Sequence, residues 1–347
     1  MNNQTVKIGI IGFGRMGITH FSIINSHPRV KVTGVSDKSG LILSLLKKYI
    51  PEISTYSDYS DLLEEGDIDA VLVCTPPDLH YEIIRSCYDK GIHVFVEKPF
   101  TTKFQDAKEL SGLFMQKGLV NQVGYVNRYN DVFSKVNYFI KNDLIGDIVR
   151  FRSEMFSRTV IEPEQGTSWR SSRESGGGVV YEMASHSIDL VNYLIGKPDK
   201  VTGSSMNIIF SRSIEDAVSS TFLYSNGITG TLYVNWSDET YRKPTNKIEI
   251  FGKKGKILAD QYSIKVCLKD PNILFNLRNG WNILYITDLF KSVPFYVRGN
   301  EFTSQLYNFI ECIEEKENKN RCSFEEASKT LEIIESIFLD YKNNGRF

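Results

Sequence analysis

A glycine-rich loop stands near the start of the chain, between an apolar run and an amphipathic stretch. The run is VKIGIIG (6–12). The loop itself consists of Gly12, Phe13, Gly14, Arg15, Met16 and Gly17. In this spacing the first glycine permits a tight turn, the second lets the backbone approach a diphosphate, and the third lets helix and strand pack closely. An ordinary strand-to-helix turn is the alternative, but the flanking strand and helix favour dinucleotide binding.

An acidic residue follows the second apolar run at the spacing that such a site needs. Asp37 ends VKVTGVSD (30–37), twenty residues beyond Gly17. A carboxylate there accepts hydrogen bonds from the adenosine ribose hydroxyls and repels a 2′-phosphate. The neighbouring Lys38 acts in the opposite sense, because a cation can partly accommodate that phosphate. The pair predicts NAD as the cofactor, with NADP less favoured.

A lysine lies at the end of another apolar run, in HVFVEKP (93–99). The carboxyl end of a parallel strand is the edge at which ligands bind. There Lys98 can hydrogen-bond a substrate hydroxyl and assist loss of its proton, provided that burial lowers the pKa of the amine. A surface lysine paired with Glu97 is an equally acceptable interpretation of this segment alone.

Three polar residues follow Gly176-Gly177-Gly178 on one helical face. Glu182, His186 and Asp189 are spaced by four and three residues. A histidine with a carboxylate one turn away on either side is a plausible proton acceptor whose tautomer a neighbour sets. A lone helical histidine is more often a core or capping residue. Lys98 and these residues together favour acid–base chemistry.

The elements that must position these residues divide the chain in two. Continuous apolar strands that alternate with amphipathic helices in the first third predict a parallel sheet covered on both faces. Strands are predicted at 6–12, 30–37, 70–76, 93–99 and 120–125, and helices at 15–26, 40–49, 78–90 and 103–117. Residues 1–125 are therefore predicted to form a doubly wound Rossmann-type α/β domain that binds the dinucleotide.

Beyond residue 125 the strands become longer and alternate in polarity, which is typical of an open antiparallel sheet with one covered face. Strands are predicted at 148–156, 201–210, 217–225, 227–237, 246–252 and 255–261, and helices at 130–141, 176–196 and 301–342, the last with a break near ENKNRCS. Residues 126–347 are predicted to be an α+β domain with a large, mostly antiparallel sheet that binds substrate and mediates oligomerisation.

Composition limits the classes of function. With 347 residues two domains are expected. Lys plus Arg (41) balances Asp plus Glu (42), so no electrostatic reason exists to expect nucleic acid or a membrane surface as a partner. Five cysteines without a CxxC pair argue against a disulfide framework and a structural zinc site, and no metal is predicted. No signal peptide or apolar run of about 18 residues is found, so the cytoplasm is the expected compartment.

Five motifs occur together in a recognisable order: GFGRMG, CTPPDLH (74–80), VEKPF (96–100), VGYVNRY (123–129) and GGGVVYEMASHSIDL (176–190). Over essentially the whole chain they resemble the Gfo/Idh/MocA family of glucose–fructose oxidoreductase and inositol 2-dehydrogenase type. The motifs are jointly specific, although the family is broad. The resemblance implies an NAD(P)-dependent enzyme that transfers hydride between a nicotinamide and a secondary hydroxyl or keto group of a sugar, sugar derivative or nucleotide sugar.

The resemblance also implies roles for individual residues. Lys98 would lie near the nicotinamide and the substrate, and His186 would be the acid/base on the reacting hydroxyl. Further residues would line the cofactor and substrate cleft: Thr75, Pro76 and His80 beside the cofactor, Glu97 near its nicotinamide ribose, and Arg128, Trp169 and Arg170 along the cleft.

The chain departs from the family at one position. Relatives usually carry Asp four residues before the histidine, and here Glu182 stands there. The charge is kept, but the added methylene moves the head group by ~1.5 Å. A displacement of that size can change a rate by about 10²-fold or shift the preferred substrate. Three explanations are open: a different sugar pose, a repositioned helix or weakened catalysis. The different pose is favoured, because Lys98 and His186 are both kept.

Polar and aromatic residues of the second domain are candidates for selecting the sugar. Arg152, Trp169 and Arg170 are preferred over the others, which are Tyr181, Trp236, Tyr241 and Arg242. For the aromatic residues a place on the sheet surface or in a subunit contact is the alternative. An arginine-bearing cleft suits an anionic sugar, such as a uronic acid or a nucleotide-linked sugar.

Apolar residues on the uncovered sheet face predict a homodimer or homotetramer. Depending on register they are Phe222, Tyr224, Leu232 and Tyr233. Three other functions remain open. One is an NAD-retaining epimerase or glycosidase-like enzyme that oxidises its sugar transiently, another a non-catalytic NAD-sensing protein, and the third a reductase for an unsaturated non-sugar substrate such as a tetrapyrrole or dihydrodiol.

Overall fold

The computed structural model describes residues 5–163, 169–290, 292–315 and 319–344. Their contacts divide the chain into two compact units. The first comprises Met1–Val126 and Ser292–Ser328, and the second comprises Asn127–Lys291 and Lys329–Phe347. Both units are discontinuous in sequence. The sequence analysis divides the chain once, after residue 125, and this boundary between the functional domains stays a prediction.

The first unit contains a six-stranded parallel sheet in the order β3-β2-β1-β4-β5-β6. Its strands are β1 Val6–Ile11, β2 Val30–Ser36, β3 Ser54–Tyr56, β4 Ala70–Val73, β5 His93–Val96 and β6 Asn121–Val123. The connecting helices are α1 Arg15–Ile24, α2 Gly40–Tyr49, α3 Tyr59–Glu65, α4 His80–Lys90 and α5 Phe104–Lys117. The strand order reverses between β1 and β4, which places the ligand crevice of such a sheet at their carboxyl ends.

The second unit contains an eight-stranded sheet in the order β14-β13-β12-β11-β7-β10-β9-β8. Its strands are β7 Ile148–Phe156, β8 Lys200–Asn207, β9 Ala217–Leu223, β10 Thr229–Asn235, β11 Thr245–Gly252, β12 Gly255–Ala259, β13 Ser263–Leu268 and β14 Gly280–Tyr285. Only β7 and β10 pair in parallel among these described strands. The predicted fold class, a doubly wound parallel sheet followed by a mostly antiparallel open sheet, is confirmed.

The remaining helices are α6 Asp131–Lys141, α7 Ser185–Leu194, α8 Ile286–Leu289, α9 Asn300–Glu315 and α10 Phe324–Asn343. A π-helical turn, Val180–Ala184, precedes α7, so the long helix predicted at 176–196 changes its winding part-way. In the first unit α9 buries Leu306, Phe309 and Ile310 in the core around β1. None of the described helices is long and apolar enough to span a bilayer.

The large sheet has one covered face and one open face, and its register corrects the prediction of exposed apolar residues. Along β10, Leu232 and Val234 are buried and Tyr233 is 39% exposed. Phe222 is fully buried and lies opposite Gly230 in the register. Phe222 and Leu232 therefore point into the core, because residues two apart on a strand share a face. The hydroxyl of Tyr224 donates to the carbonyl of Gly196 at 2.9 Å.

Candidate functional site

The glycine loop after β1 has the geometry of a diphosphate cradle. Gly12 has φ +87°, and a Cβ atom there would lie 2.9 Å from the backbone carbonyl of Cys74. A Cβ atom on Gly17 would lie 2.1 Å from the carbonyl oxygen of Gly12, so both positions require glycine. Beside Gly14, by contrast, a Cβ atom would meet nothing within 4 Å. This open space next to the amino end of α1 fits the phosphates of a dinucleotide.

Asp37 fixes this loop and stays available to a ribose. Its carboxylate accepts from the amide of Phe13 at 2.6 Å and from the amide of Ser39 at 2.7 Å. Each carboxylate oxygen has a second lone pair for a ribose hydroxyl. The ammonium of Lys38 donates to Asp58 at 2.7 Å, and this bond holds the pKa of Asp58 well below its usual range. The cation next to Asp37 is thus already paired with a carboxylate.

His80 joins the two segments that end β4 and β5. Its imidazole is fully buried, with Nε2 2.9 Å from the carbonyl oxygen of Thr75 and Nδ1 3.0 Å from that of Pro99. Burial lowers the pKa of His80, and a neutral ring donates from only one nitrogen. Both ring nitrogens thus contact backbone carbonyl groups. His80 links the segment of Thr75 and Pro76 to the segment that contains Lys98.

Glu97 has a buried partner that the sequence did not indicate. Nε2 of His20 on α1 lies 2.7 Å from Oε1 of Glu97. The His20 side chain is completely buried, and that of Glu97 is 14% exposed. Lys98, the next residue, is half-buried, and its amide donates to Glu97 at 3.3 Å. In the sequence, the one indication of this contact was a polar residue, His20, at a position of α1 that faces the core.

Arg128, which was predicted to bind the cofactor, forms a buried ion pair in the second unit. Its Nε and Nη2 atoms donate to the carboxylate of Asp189 on α7 at 2.9–3.1 Å. The two side chains are 2% and 1% exposed. Asp189 therefore points to Arg128 in the interior. The expectation that Asp189 flanks His186 one helical turn away stays a prediction.

The π-helical turn brings together two of the predicted substrate residues. Nη2 of Arg170 lies 3.6 Å from Oε1 of Glu182, whose side chain is 19% exposed. His186 follows Glu182 by four residues on α7 and is half-buried. The side chain of Trp169 lies outside the described part of the chain. A guanidinium, a carboxylate and an imidazole are thus carried by neighbouring segments of one unit.

A buried glutamate supports this turn. Glu215 accepts from Arg173 at 2.9 Å and from the amide of Val180 at 3.2 Å. A Cβ atom on Gly178 would lie 2.3 Å from Oε1 of Glu215, so the glycine segment leaves room for the carboxylate. Burial raises the pKa of Glu215. Sequence reasoning missed this residue, because only the tertiary fold brings it to the turn.

Tyr181 and Trp236, both candidates for selecting the sugar, lie in the interior. Tyr181 is 7% exposed and packs on Phe338, with ring centroids 5.6 Å apart. Burial raises its pKa to about 12. Trp236 is fully buried and donates from Nε1 to Asp216. The expectation that Trp236 contacts the sugar is wrong, because its ring and its only N–H group are both used inside the sheet.

Arg152 lies on the open face of the large sheet, in β7. Its guanidinium is 3.5 Å from Glu154 and 3.6 Å from Glu249. Helix α7 packs on the opposite, covered face, where Ser187 bonds Asn246. The structure therefore does not bring Arg152 together with Glu182. Two other candidates are placed outside the core: Tyr241, which stacks on Phe156 at 4.6 Å, and the exposed Arg242.

Comparison with known families identifies the chain. Residues 6–125 match the model of the oxidoreductase family with an NAD-binding Rossmann fold. Residues 133–258 match the C-terminal domain of the same GFO/IDH/MocA family. The chain belongs to the Gfo/Idh/MocA oxidoreductase family. The predicted family, its NAD-binding Rossmann fold and its oxidoreductase class are thereby confirmed.

Known members of the Gfo/Idh/MocA family include similar proteins. The uncharacterized oxidoreductase YrbE of Bacillus subtilis is 29% identical over 269 residues, which cover 75% of each chain. A myo-inositol 2-dehydrogenase of Thermotoga maritima is 25% identical over 260 residues, covering 74% of this chain and 75% of the relative. Three further relatives are matched over 53–56% of their own length.

Solved structures of this fold agree over nearly the whole chain. Levoglucosan dehydrogenase in complex with NADH and levoglucosan superimposes with a TM-score of 0.87, at 19% identity and over 98% of both chains. At this identity the likeness shows the Gfo/Idh/MocA fold alone.

Proposed function

We propose that this chain is an NAD-dependent dehydrogenase or reductase acting on a secondary hydroxyl or keto group of a sugar, sugar derivative or nucleotide sugar. The observation that carries the proposal is the cradle around Gly14, with Asp37 set to receive an adenosine ribose. Relatives named myo-inositol and levoglucosan dehydrogenase support a polyhydroxylated substrate. The family motifs at Lys98 and His186 support chemistry on a hydroxyl group.

In this proposal, different residues of the first unit bind different parts of the cofactor. The backbone of the glycine loop holds the diphosphate, Asp37 binds the adenosine ribose, and Glu97 lies at the nicotinamide ribose. Bound nicotinamide supplies the redox chemistry by accepting or returning a hydride. The pairing of Lys38 with Asp58 supports NAD over NADP, because the nearest cation is already neutralised.

Proton transfer falls to side chains of the protein. In the oxidative direction His186 takes the hydroxyl proton and Lys98 polarises the oxygen. Glu182 orients His186 or binds the adjacent hydroxyl. The contact of Glu182 with Arg170 supports a held carboxylate, since a cation at 3.6 Å restrains the longer side chain.

For the substrate we propose an anionic sugar, such as a uronic acid or a nucleotide-linked sugar, with Arg170 and Trp169 among its contacts. The partial exposure of Arg170, whose side chain is 42% accessible, supports this role. A guanidinium presents its N–H donors in a planar fork that matches a carboxylate or a phosphate.

We further propose that the chain forms homodimers or homotetramers through the open face of the large sheet, in the cytoplasm. Large apolar side chains are exposed along that face: Tyr233, Phe251, Trp281, Ile283 and Tyr285. A contiguous apolar surface usually marks an interface. Light scattering of the wild type and of Trp281→Asp gives the test, because a charge in the interface should shift the mass towards the monomer.

The function is tested by following NADH absorbance while the protein is offered NAD and a panel of sugars, uronic acids and nucleotide sugars. Lys98→Met should abolish turnover and keep NAD affinity. Lys108→Met, which removes an exposed lysine of α5, is the matched control and should keep both. Full turnover by the Lys98 variant would contradict the mechanism. NAD that survives purification, with no net NADH, would instead support transient oxidation.

A further inference from the structure

Arg298 lies outside the five motifs that carry the family resemblance, yet it contacts the glycine loop. It belongs to the stretch before α9, in the part of the chain that returns to the first unit. Its Nη1 atom lies 3.3 Å from Sδ of Met16, in the second half of that loop. The guanidinium also lies over the ring of Phe302, 5.0 Å from its centroid. Residue 298 lies beyond both matched family segments, 6–125 and 133–258.

The surroundings of Arg298 concentrate positive charge at this loop. Burial and the neighbouring Arg15 lower the pKa of Arg298, while Glu97 and Glu301 act in the opposite direction. Helix α1 adds the positive end of its dipole, and it has neither a capping side chain nor an acidic residue in its first turn. Arg15 at the first position of α1, Arg298 in contact with Met16 and the amino end of the helix thus all contribute positive charge at the glycine loop.

The bonding of Arg298 is suited to an anion. A thioether sulfur is a weak acceptor, whereas a guanidinium offers five N–H donors in a planar fork that matches phosphate oxygens. The carboxylate of Glu97 is held by His20 at 2.7 Å. An anionic ligand at the loop would offset the repulsion between Arg15 and Arg298 and accept their hydrogen bonds.

We propose that Arg298 is a cofactor-binding residue that donates to the nicotinamide-side phosphate of the NAD diphosphate. This inference rests on the proposed NAD-dependent function. The cofactor is then bound by two distant parts of the sequence, the glycine loop and the stretch before α9. Arg298 recognises the phosphate by its charge and by the planar arrangement of its N–H donors. Its contribution to binding therefore does not depend on the nicotinamide ring.

The test is calorimetric binding of NAD, ADP-ribose and AMP to the wild type, Arg298→Met and Arg298→Lys. Methionine keeps the packing on Phe302 and removes every donor. NAD and ADP-ribose should each bind Arg298→Met about ten-fold more weakly, because charge-assisted bonds are lost. AMP, which lacks the second phosphate, should bind unchanged. Arg298→Lys should recover part of the loss, since it restores the charge without the fork.

Lys31→Gln is the matched control, because it removes an exposed cation of the same unit in β2. It should leave all three affinities unchanged. Equal NAD affinity in the wild type and Arg298→Met would overturn the inference and leave the proposed function intact. An equal loss for AMP would also overturn it, since the arginine would then serve the adenosine half. A wild type that binds no NAD would overturn the proposed function and this inference together.

Discussion

Nε2 of His20 lies 2.7 Å from Oε1 of Glu97, which joins the helix after the glycine loop to the residue that precedes Lys98. The ring of His20 packs against Phe95 and Phe302. Within the described chain its Nδ1 atom has no hydrogen-bond partner. A proton on Nδ1 would therefore be unsatisfied, and we infer that the ring donates from Nε2. His20 acts as a positioning residue for Glu97.

His20→Ala should lower both stability and cofactor affinity. Removing one partner of a buried hydrogen bond leaves the other unsatisfied, at a cost of about 1–3 kcal/mol in the free energy of unfolding. NAD should also bind more weakly, because the Glu97 carboxylate, which is proposed to lie at the nicotinamide ribose, is no longer held. Urea denaturation and calorimetry measure the two effects. His20→Gln retains a donor and should recover much of the affinity. If the two variants bind NAD equally well, the positioning role is excluded.

The strands and helices around the glycine loop could be predicted because their local pattern agrees with the fold. Buried parallel strands are continuous apolar runs, as in β1 and β4. The short strand β3 and the helix α3 were missed, since Ser54–Tyr56 is only three residues with no apolar period. The strands β13 and β14 were missed as well. Along β14 the exposed side chains include Trp281 and Ile283. The strand lies at the edge of the sheet and contributes little to the core, so its sequence lacks the usual pattern of buried apolar residues.

Local pattern could not decide which polar residues meet. The spacing of His186 and Asp189 gives a shared helical face, but the ion pair with Arg128 is set by tertiary packing between segments 61 residues apart. His20 and Glu215 were missed for the same reason, because each is buried by contacts from distant segments. Asp37 could be proposed from the sequence because the glycine loop, whose Phe13 amide donates to it, stands at a fixed distance in the chain.

Asp37→Ser should weaken NAD binding much more than NADP binding. In the proposed function this carboxylate accepts the ribose hydroxyls. Its loss should therefore lower NAD affinity about 10-fold, while its repulsion of a 2′-phosphate disappears too. Calorimetry with both cofactors gives the ratio. Asp58→Asn is the companion variant, because it frees the Lys38 ammonium and should raise NADP affinity alone. An equal loss of both cofactors in Asp37→Ser would contradict the ribose assignment.

His80 should make the protein less stable in mild acid. Burial lowers the pKa of His80 below its ordinary value of 6.5, so the folded chain keeps the ring neutral where the unfolded chain takes up a proton. The free energy of unfolding then falls as the pH drops through 6.5 towards the lower folded value. Urea denaturation above and below pH 6.5 measures the slope.

His80→Gln supplies the control for that slope. It should be less stable at every pH but lose less on acidification. Some dependence should remain, because burial also lowers the pKa of His27. A slope identical to that of the wild type would show that His80 does not account for the effect.

Arg128→Met should destabilise the second unit strongly. The substitution leaves the Asp189 carboxylate buried without its guanidinium, at a cost of about 3–5 kcal/mol in the free energy of unfolding. The double variant Arg128→Met, Asp189→Leu removes both charges and should recover most of the loss, because a buried ion pair is worth little more than well-packed apolar groups. Urea denaturation of the two single variants and the double variant measures the coupling. Additive losses would show that the two side chains act separately, whereas the 2.9 Å contacts require strong coupling.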